Sequence, residues 1–227
     1  MKFYAINGSP RKAGNTVQVL KKVESGFYDE VHEKFPNEKI ELNFINLYSL
    51  NYTSCRSCFS CKRLNGKSYG HCIINDDLKE IFRDLETADA MVLGSPIYLM
   101  DVSGEMKSFI DRLIFQYLVY DENNSSLAEN KLPTACVYTM NIKKEDYDKF
   151  SLPYTLNNLE SFISNIFSKV YSLKVFDTYQ FKDYSKFKNS IFDEEEKLQQ
   201  KLNQFPKDLD EAYNLGRKLA KDAINNL

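Results

Sequence analysis

Two stretches of this chain gather side chains dense enough for chemistry. CRSCFSCKRLNGKSYGHC, Cys55 to Cys72, holds four of the five cysteines, with two, two and ten residues between them. GSPRKAGNT, Gly8 to Thr16, combines Ser9, Arg11, Asn15 and Thr16 with Gly8 and Gly14. The second stretch offers hydroxyl and amide donors, a cationic fork and glycines for tight turns. It leaves an apolar strand and enters a helix, whose first free N–H groups and partial positive charge complete a set suited to a phosphate. Neither familiar phosphate loop fits, because Asn15 stands where a Walker loop needs Lys and the dinucleotide pattern needs three glycines at fixed spacing.

The thiols admit several chemistries. Cys55, Cys58 and Cys61 match the first part of a ferredoxin motif. Cys72 can close a 4Fe–4S site, with Gly66 and Gly70 making the intervening segment pliable and loop-closure entropy growing only slowly with length. Zinc is a competitor, although four-thiolate zinc sites usually come as two separated Cys-x-x-Cys pairs. Unliganded thiols are the third reading. Cys136 is separate and reads as a buried structural thiol in a strand. The two histidines, His32 and His71, have no evident partner and read as solvated. No nucleophile-plus-base arrangement supports hydrolysis.

The elements that must position these residues alternate. Lys2–Asn7, Lys39–Leu47, Asp89–Ser95, Pro133–Met140 and Lys169–Phe181 read as strands. Thr16–Phe35, a helix capped by Asp76 or Asp77 and running to about Thr87, Ser103–Tyr117 and Leu152–Ser168 read as helices. From Asp193 the pattern is helical to the end, broken at Phe205–Pro206. Five strands in alternation with helices predict a parallel sheet covered on both faces, with ligands at the carboxyl ends of its strands. Pro96–Met100 falls at such an end; it is too apolar for a routine surface loop, and with Tyr98 it suits a flat ring system. Lys107, Asp111 and Arg112 on the next helix read as surface ion pairs. The chain is expected to form one domain over residues 1–227, with a cysteine-rich loop at about 52–75 and a helical C-terminal extension from about 193.

Composition narrows the function classes. A net charge of −2 with lysines spread among acids gives no nucleic-acid surface. No apolar run approaches the roughly 20 residues that span a bilayer. MKFYAIN lacks the features of a signal peptide, so the chain is expected in the cytoplasm, where clustered cysteines more often bind metal or do redox chemistry than form disulfides.

GSPRKAGNT, SPIY and SGEMKSFIDR together resemble the flavodoxin-like NADPH-dependent FMN reductases, and the cysteine run followed by DDL resembles their iron–sulfur flavoprotein branch. The resemblance covers roughly residues 1–142; Leu152–Leu227 fits the fold without a matching motif. It implies a three-layer flavodoxin-like sheet of order 2-1-3-4-5 holding FMN. By position, Ser9, Arg11, Gly14, Asn15 and Thr16 would bind the FMN phosphate. Pro96, Ile97 and Tyr98 would line the isoalloxazine with Leu99 and Met100 close by, and Thr139, Met140 and Asn141 would approach its other edge. Cys55, Cys58, Cys61 and Cys72 would hold a 4Fe–4S cluster that exchanges electrons with FMN. The implied donor is ferredoxin or NAD(P)H, and the implied assembly a homodimer or homotetramer. One alternative is an NAD(P)H-dependent FMN or quinone reductase without a cluster. Another is a non-catalytic flavodoxin-like carrier or a thiol or zinc sensor.

Overall fold

The computed structural model describes residues 1–226. β1 (Lys2–Asn7), β2 (Glu41–Asn46), β3 (Ala90–Tyr98), β5 (Thr134–Thr139) and β6 (Val170–Val175) form a parallel sheet of order β2-β1-β3-β5-β6. Counting only these strands, this is the expected flavodoxin-like 2-1-3-4-5 order. The two-residue strand β4 (Asp101–Val102) folds back antiparallel on the end of β3. The central strands are apolar along their length because helices cover both faces.

Each face has its own core. On one, α1 (Asn15–Lys34) and α6 (Phe205–Asn225) pack Val19, Leu20, Val23, Phe27, Leu219 and Ala220 against Phe3, Val92 and Val137. On the other, α2 (Leu78–Leu85), α3 (Gly104–Tyr117) and α4 (Leu152–Phe167) pack Phe82, Phe109, Leu113 and Ile163 against Ile6, Met91 and Leu93. The inward stripe of α1 runs through Val19, whereas the expected Val17 is only half-buried. Six glycines lie in or beside the loops singled out above; the other two, Gly26 and Gly216, bring α1 and α6 into backbone contact. A Cβ on Gly26 would stand 1.9 Å from the Tyr213 carbonyl oxygen, and one on Gly216 would stand 2.0 Å from that of Val23.

Three boundaries differ from expectation. β3 runs on through Pro96–Tyr98 and turns into β4 at Leu99 and Met100, both left-handed (φ 49° and 65°) as a two-residue hairpin of this hand requires. β6 ends at Val175, and Asp177 turns the chain out of the sheet at φ 52°. At the C-terminus, α5 (Glu194–Gln199) passes through a π-helical turn, Gln200–Gln204, directly into α6. Pro206 therefore does not break the helix. It sits in the first turn of α6, where a missing N–H is tolerated, and the wider turn before it absorbs the lost hydrogen bond. Among the described residues, no helix is long and apolar enough to cross a membrane.

Candidate functional site: a cleft at the strand ends and a cysteine loop beside it

Gly8 leaves the end of β1 with its N–H on the Gly94 carbonyl (2.8 Å) and its own carbonyl on the Ser103 hydroxyl (2.7 Å). Buried Asn7 shapes the next step by accepting from Ser9 N–H (3.0 Å) and donating to the Ser9 carbonyl (3.1 Å). Ser103 caps α3 by accepting from Met106 N–H at 3.3 Å, and its own N–H donates to Ser95 Oγ at 2.9 Å. Side chains at the ends of β1 and β3 therefore hold the loop that enters α1. Gly14 is the N-cap of α1, which leaves the amino end of a 20-residue helix facing the same edge.

These segments and the loops after β5 and β6 border a shallow cleft enclosing ≈ 110 Å³. It is lined by Ser9, Arg11, Gly14, Asn15 and Thr16 at one end, by Pro96, Ile97 and Tyr98 along β3, and by Thr139, Met140 and Asn141 after β5. Eleven of the thirteen residues expected at a flavin site thus meet in one place. Leu99 and Met100 do not line it: Leu99 is fully exposed at the hairpin tip, and Met100 packs onto the α3 and α4 face. The Thr16 and Thr139 hydroxyls pair at 2.7 Å, tying α1 to the end of β5 beneath the cleft.

Sequence reasoning missed Thr178 and Gln180, which also line the cleft, because an alternating stretch read as strand. The departure at Asp177 is what brings them there. Thr178 N–H donates to the Met140 carbonyl (2.9 Å), Arg11 Nη1 to the Gln180 carbonyl (2.7 Å) and Asn15 Nδ2 to the Tyr179 carbonyl (3.1 Å). Asn7 and Ser95 were missed as well, since nothing in their types separates a shaping residue from an ordinary polar one; Ser103 is legible as the cap of α3 but not as the partner of Gly8. The cleft's donor set fits FMN: a cation, amides and a helix amino end at one end suit a phosphate, and apolar Pro96, Ile97 and Met140 with Tyr98 suit a flat ring.

The cysteine loop is built differently. Its neck is closed by Arg112, which is buried rather than on the surface. Arg112 Nη1 donates to Asp76 Oδ2 (2.6 Å) and to the Thr53 carbonyl (3.1 Å), and Asp76 Oδ2 accepts from Thr53 N–H (3.2 Å). Lys107 and Asp111 do form the expected surface pair. Lys62 Nζ reaches the Gln116 carbonyl in the last turn of α3 (3.1 Å) and that of the capping Leu118 (2.5 Å), and burial pushes its ammonium below the usual lysine range. Cys72 N–H donates to Gln116 Oε1 at 2.9 Å. Ser57, Phe59 and Asn65 all take left-handed backbone angles, a cost the loop carries at three non-glycine positions. Cys58 is exposed, Cys55 and Cys72 are half-buried and Cys61 is buried, its thiol pushed up by burial. Among the described residues, no three Cys, His, Asp or Glu side chains stand together closely enough to hold a metal ion. Arg112 Nε and Nη2, Gln116 Nε2 and Thr53 Oγ1 are nonetheless buried beside the loop with no partner. His71 does find one, Glu86 at 3.0 Å. Cys136 is fully buried in β5, its thiol pushed up to about 12 by burial.

Residues 1–141 match the family described as NADPH-dependent FMN reductase. Similar curated proteins include iron–sulfur flavoproteins of Archaeoglobus fulgidus (33% identical over 114 residues, 50% of this chain and 46% of that one) and Methanocaldococcus jannaschii (36% over 112 residues, 49% and 51%). The chain spans about half the length of these relatives. Among solved structures, the fold is similar to an NAD(P)H:quinone oxidoreductase from Methanothermobacter marburgensis (TM-score 0.69, 15% identity, 96% of this chain and 98% of that one). It is also similar to an FMN-dependent NADH-azoreductase from Bacillus anthracis (TM-score 0.63, 13% identity, 97% and 100%). The chain belongs to the NADPH-dependent FMN reductase family and has a flavodoxin-like fold.

Proposed function

We propose that this protein is an NAD(P)H-dependent flavin or quinone reductase that holds FMN in the cleft at the strand ends. The observation that carries this reading is the convergence there of phosphate-type donors from the β1–α1 loop and apolar walls from β3 and β5. FMN held there would supply the redox chemistry between a nicotinamide donor and an electron acceptor. Arg11, Ser9, Asn15 and the amino end of α1 bind the phosphate. Pro96, Ile97 and Met140 exclude water from the ring, Tyr98 flanks it, and Thr139 and Asn141 define its far edge.

A second reading, the iron–sulfur flavoprotein, rests on a separate observation. Four buried donor atoms without partners, on Arg112, Gln116 and Thr53, lie at the base of a loop of four thiols and would suit an anionic cluster. The names of the curated relatives point the same way. The loop packs on the carboxyl half of α3 and the cleft lies at its amino end. At 1.5 Å per residue these stand roughly 15–20 Å apart in one chain. On this reading a homodimer or homotetramer would bring the loop of one chain to the flavin of another, and ferredoxin becomes a possible donor.

Anaerobic purification with iron and sulfide analysis, followed by stopped-flow mixing with NADPH and NADH, separates the two. The first reading expects retained flavin, rapid bleaching by a nicotinamide and iron at background. About four irons per chain, with bleaching only by reduced ferredoxin, would overturn it in favour of the second.

A further inference from the structure

Lys197 is a charged side chain that none of the site assignments above uses, yet it is 1% exposed. It projects from α5 toward the loop after β5. Its three N–H donors are all engaged: the Asn141 carbonyl at 3.2 Å, Asn141 Oδ1, and the Asp177 carboxylate. Phe192 lies under the ammonium at 4.9 Å. An ammonium has no acceptor, so the oxygen end of the Asn141 amide must face it. The nitrogen end must then face away, and Asn141 Nδ2 donates to Gln180 Oε1 at 2.8 Å. That in turn uses the oxygen end of Gln180, whose Nε2 is the end left for a ligand. Both amides line the cleft. A charge buried behind the site thereby dictates the polarity of two amides in its wall.

We propose that Lys197 is a positioning residue that orients the Asn141 and Gln180 amides so that the cleft presents N–H donors to the flavin ring. This rests on the FMN reading of the cleft. Reduction of the ring by two electrons leaves negative charge on its acceptor-rich side, and donors there bind the reduced form more tightly than the oxidised one. Turned the other way, the same amides would present carbonyl oxygens and favour the oxidised form. Burial pushes the Lys197 ammonium below the usual lysine range, while the Asp177 carboxylate opposes that shift and balances the charge.

The test is a pair of dissociation constants for apo-protein: one with oxidised FMN, one with FMN reduced anaerobically by dithionite. The ratio of the two constants is the readout, measured for wild type, a Lys197→Met/Asp177→Asn double variant and Asn141→Asp. The double variant removes the buried pair together, so that no lone charge is left to unfold the chain. Asn141→Asp keeps an oxygen on Lys197 but turns the donor to Gln180 into an acceptor, which flips the Gln180 amide. Both variants are expected to lose about tenfold in preference for reduced FMN, a shift of roughly −30 mV in the two-electron potential. Equal weakening of both forms, with the ratio unchanged, would mark a purely structural role and overturn the proposal. Wild-type protein that binds neither form would overturn the flavin reading and this proposal with it.

Discussion

The cleft and the cysteine loop lie at opposite ends of α3 and solve the problem of placement in opposite ways. In the cleft, each contributing segment is short and leaves a buried strand, so the sheet register itself sets where Gly8, Pro96 and Thr139 stand. Its polar atoms are mostly paired before any ligand arrives, as the Asn7–Ser9 and Thr16–Thr139 contacts illustrate. In the cysteine loop the neck is fixed by Arg112 and Asp76 and two further points by Lys62 and the Cys72 N–H, while the thiols are spread from exposed to buried. A site assembled from strand ends inherits its geometry from the core. A site carried on one long loop must obtain it from whatever the loop grips.

Breaking the neck should give the largest effect. Arg112→Met removes one partner of a buried ion pair, leaving the Asp76 charge uncompensated and the Thr53 carbonyl without its donor, so a loss of about 3–5 kcal/mol is expected in urea unfolding. Limited proteolysis should then cut within 52–75 while FMN affinity stays within a few-fold of wild type. Loss of flavin binding in protein that remains folded would show that the two regions are coupled. Next in size is Arg11→Ala, which removes a charge-assisted contact worth about 1.5–3 kcal/mol. Flavin fluorescence titration should show FMN binding weakened about ten- to a hundredfold at nearly unchanged stability, because Arg11 is exposed. Unaltered affinity would remove it from the phosphate site.

Ser103→Ala is expected to be milder. It removes the α3 cap and a hydrogen bond to Gly8, for about 1–2 kcal/mol of stability by thermal or urea melting. FMN affinity should fall with it, since the Gly8 loop is loosened; a stability loss with affinity intact would mean that Asn7 and the Gly94 carbonyl hold the loop without Ser103. The smallest perturbation is chemical labelling. At pH 8 in metal-free protein, iodoacetamide should modify exposed Cys58 quickly. It should leave Cys136 untouched, because the thiolate is the nucleophile and burial pushes that thiol up to about 12. The unfolded thiol ionises first, so Cys136 lowers stability only as pH rises from about 9 toward about 12; at pH 8 early labelling of Cys136 could only report opening of the sheet.

The fold was legible because it rests on periodicity. The strands and the α3 stripe of Met106, Phe109, Ile110 and Leu113 alternate or repeat as their burial requires. The β1–α1 loop was legible because its residue types state their chemistry. Thr178, Gln180 and Lys197 were not. Their roles depend on a left-handed turn at Asp177 and on packing between segments 20 to 170 residues apart, which no local pattern encodes. Arg112 was misplaced for a similar reason: an arginine on a helix reads as solvated until its buried carboxylate partner is known.

The π turn at Gln200–Gln204 acts as a phase adjuster between two faces of one long helix. Upstream of it Lys197 must point at Asn141; downstream, Gly216 must meet the backbone of α1. One residue of a 3.6-residue turn is worth about 100° of azimuth. The wide turn winds back about what one extra residue adds, so inserting a further residue as regular helix between Lys197 and Gly216 would swing the ammonium away from the cleft wall, with no contact residue altered. The count of residues in that stretch is therefore as much a part of the cleft's electrostatics as the lysine itself.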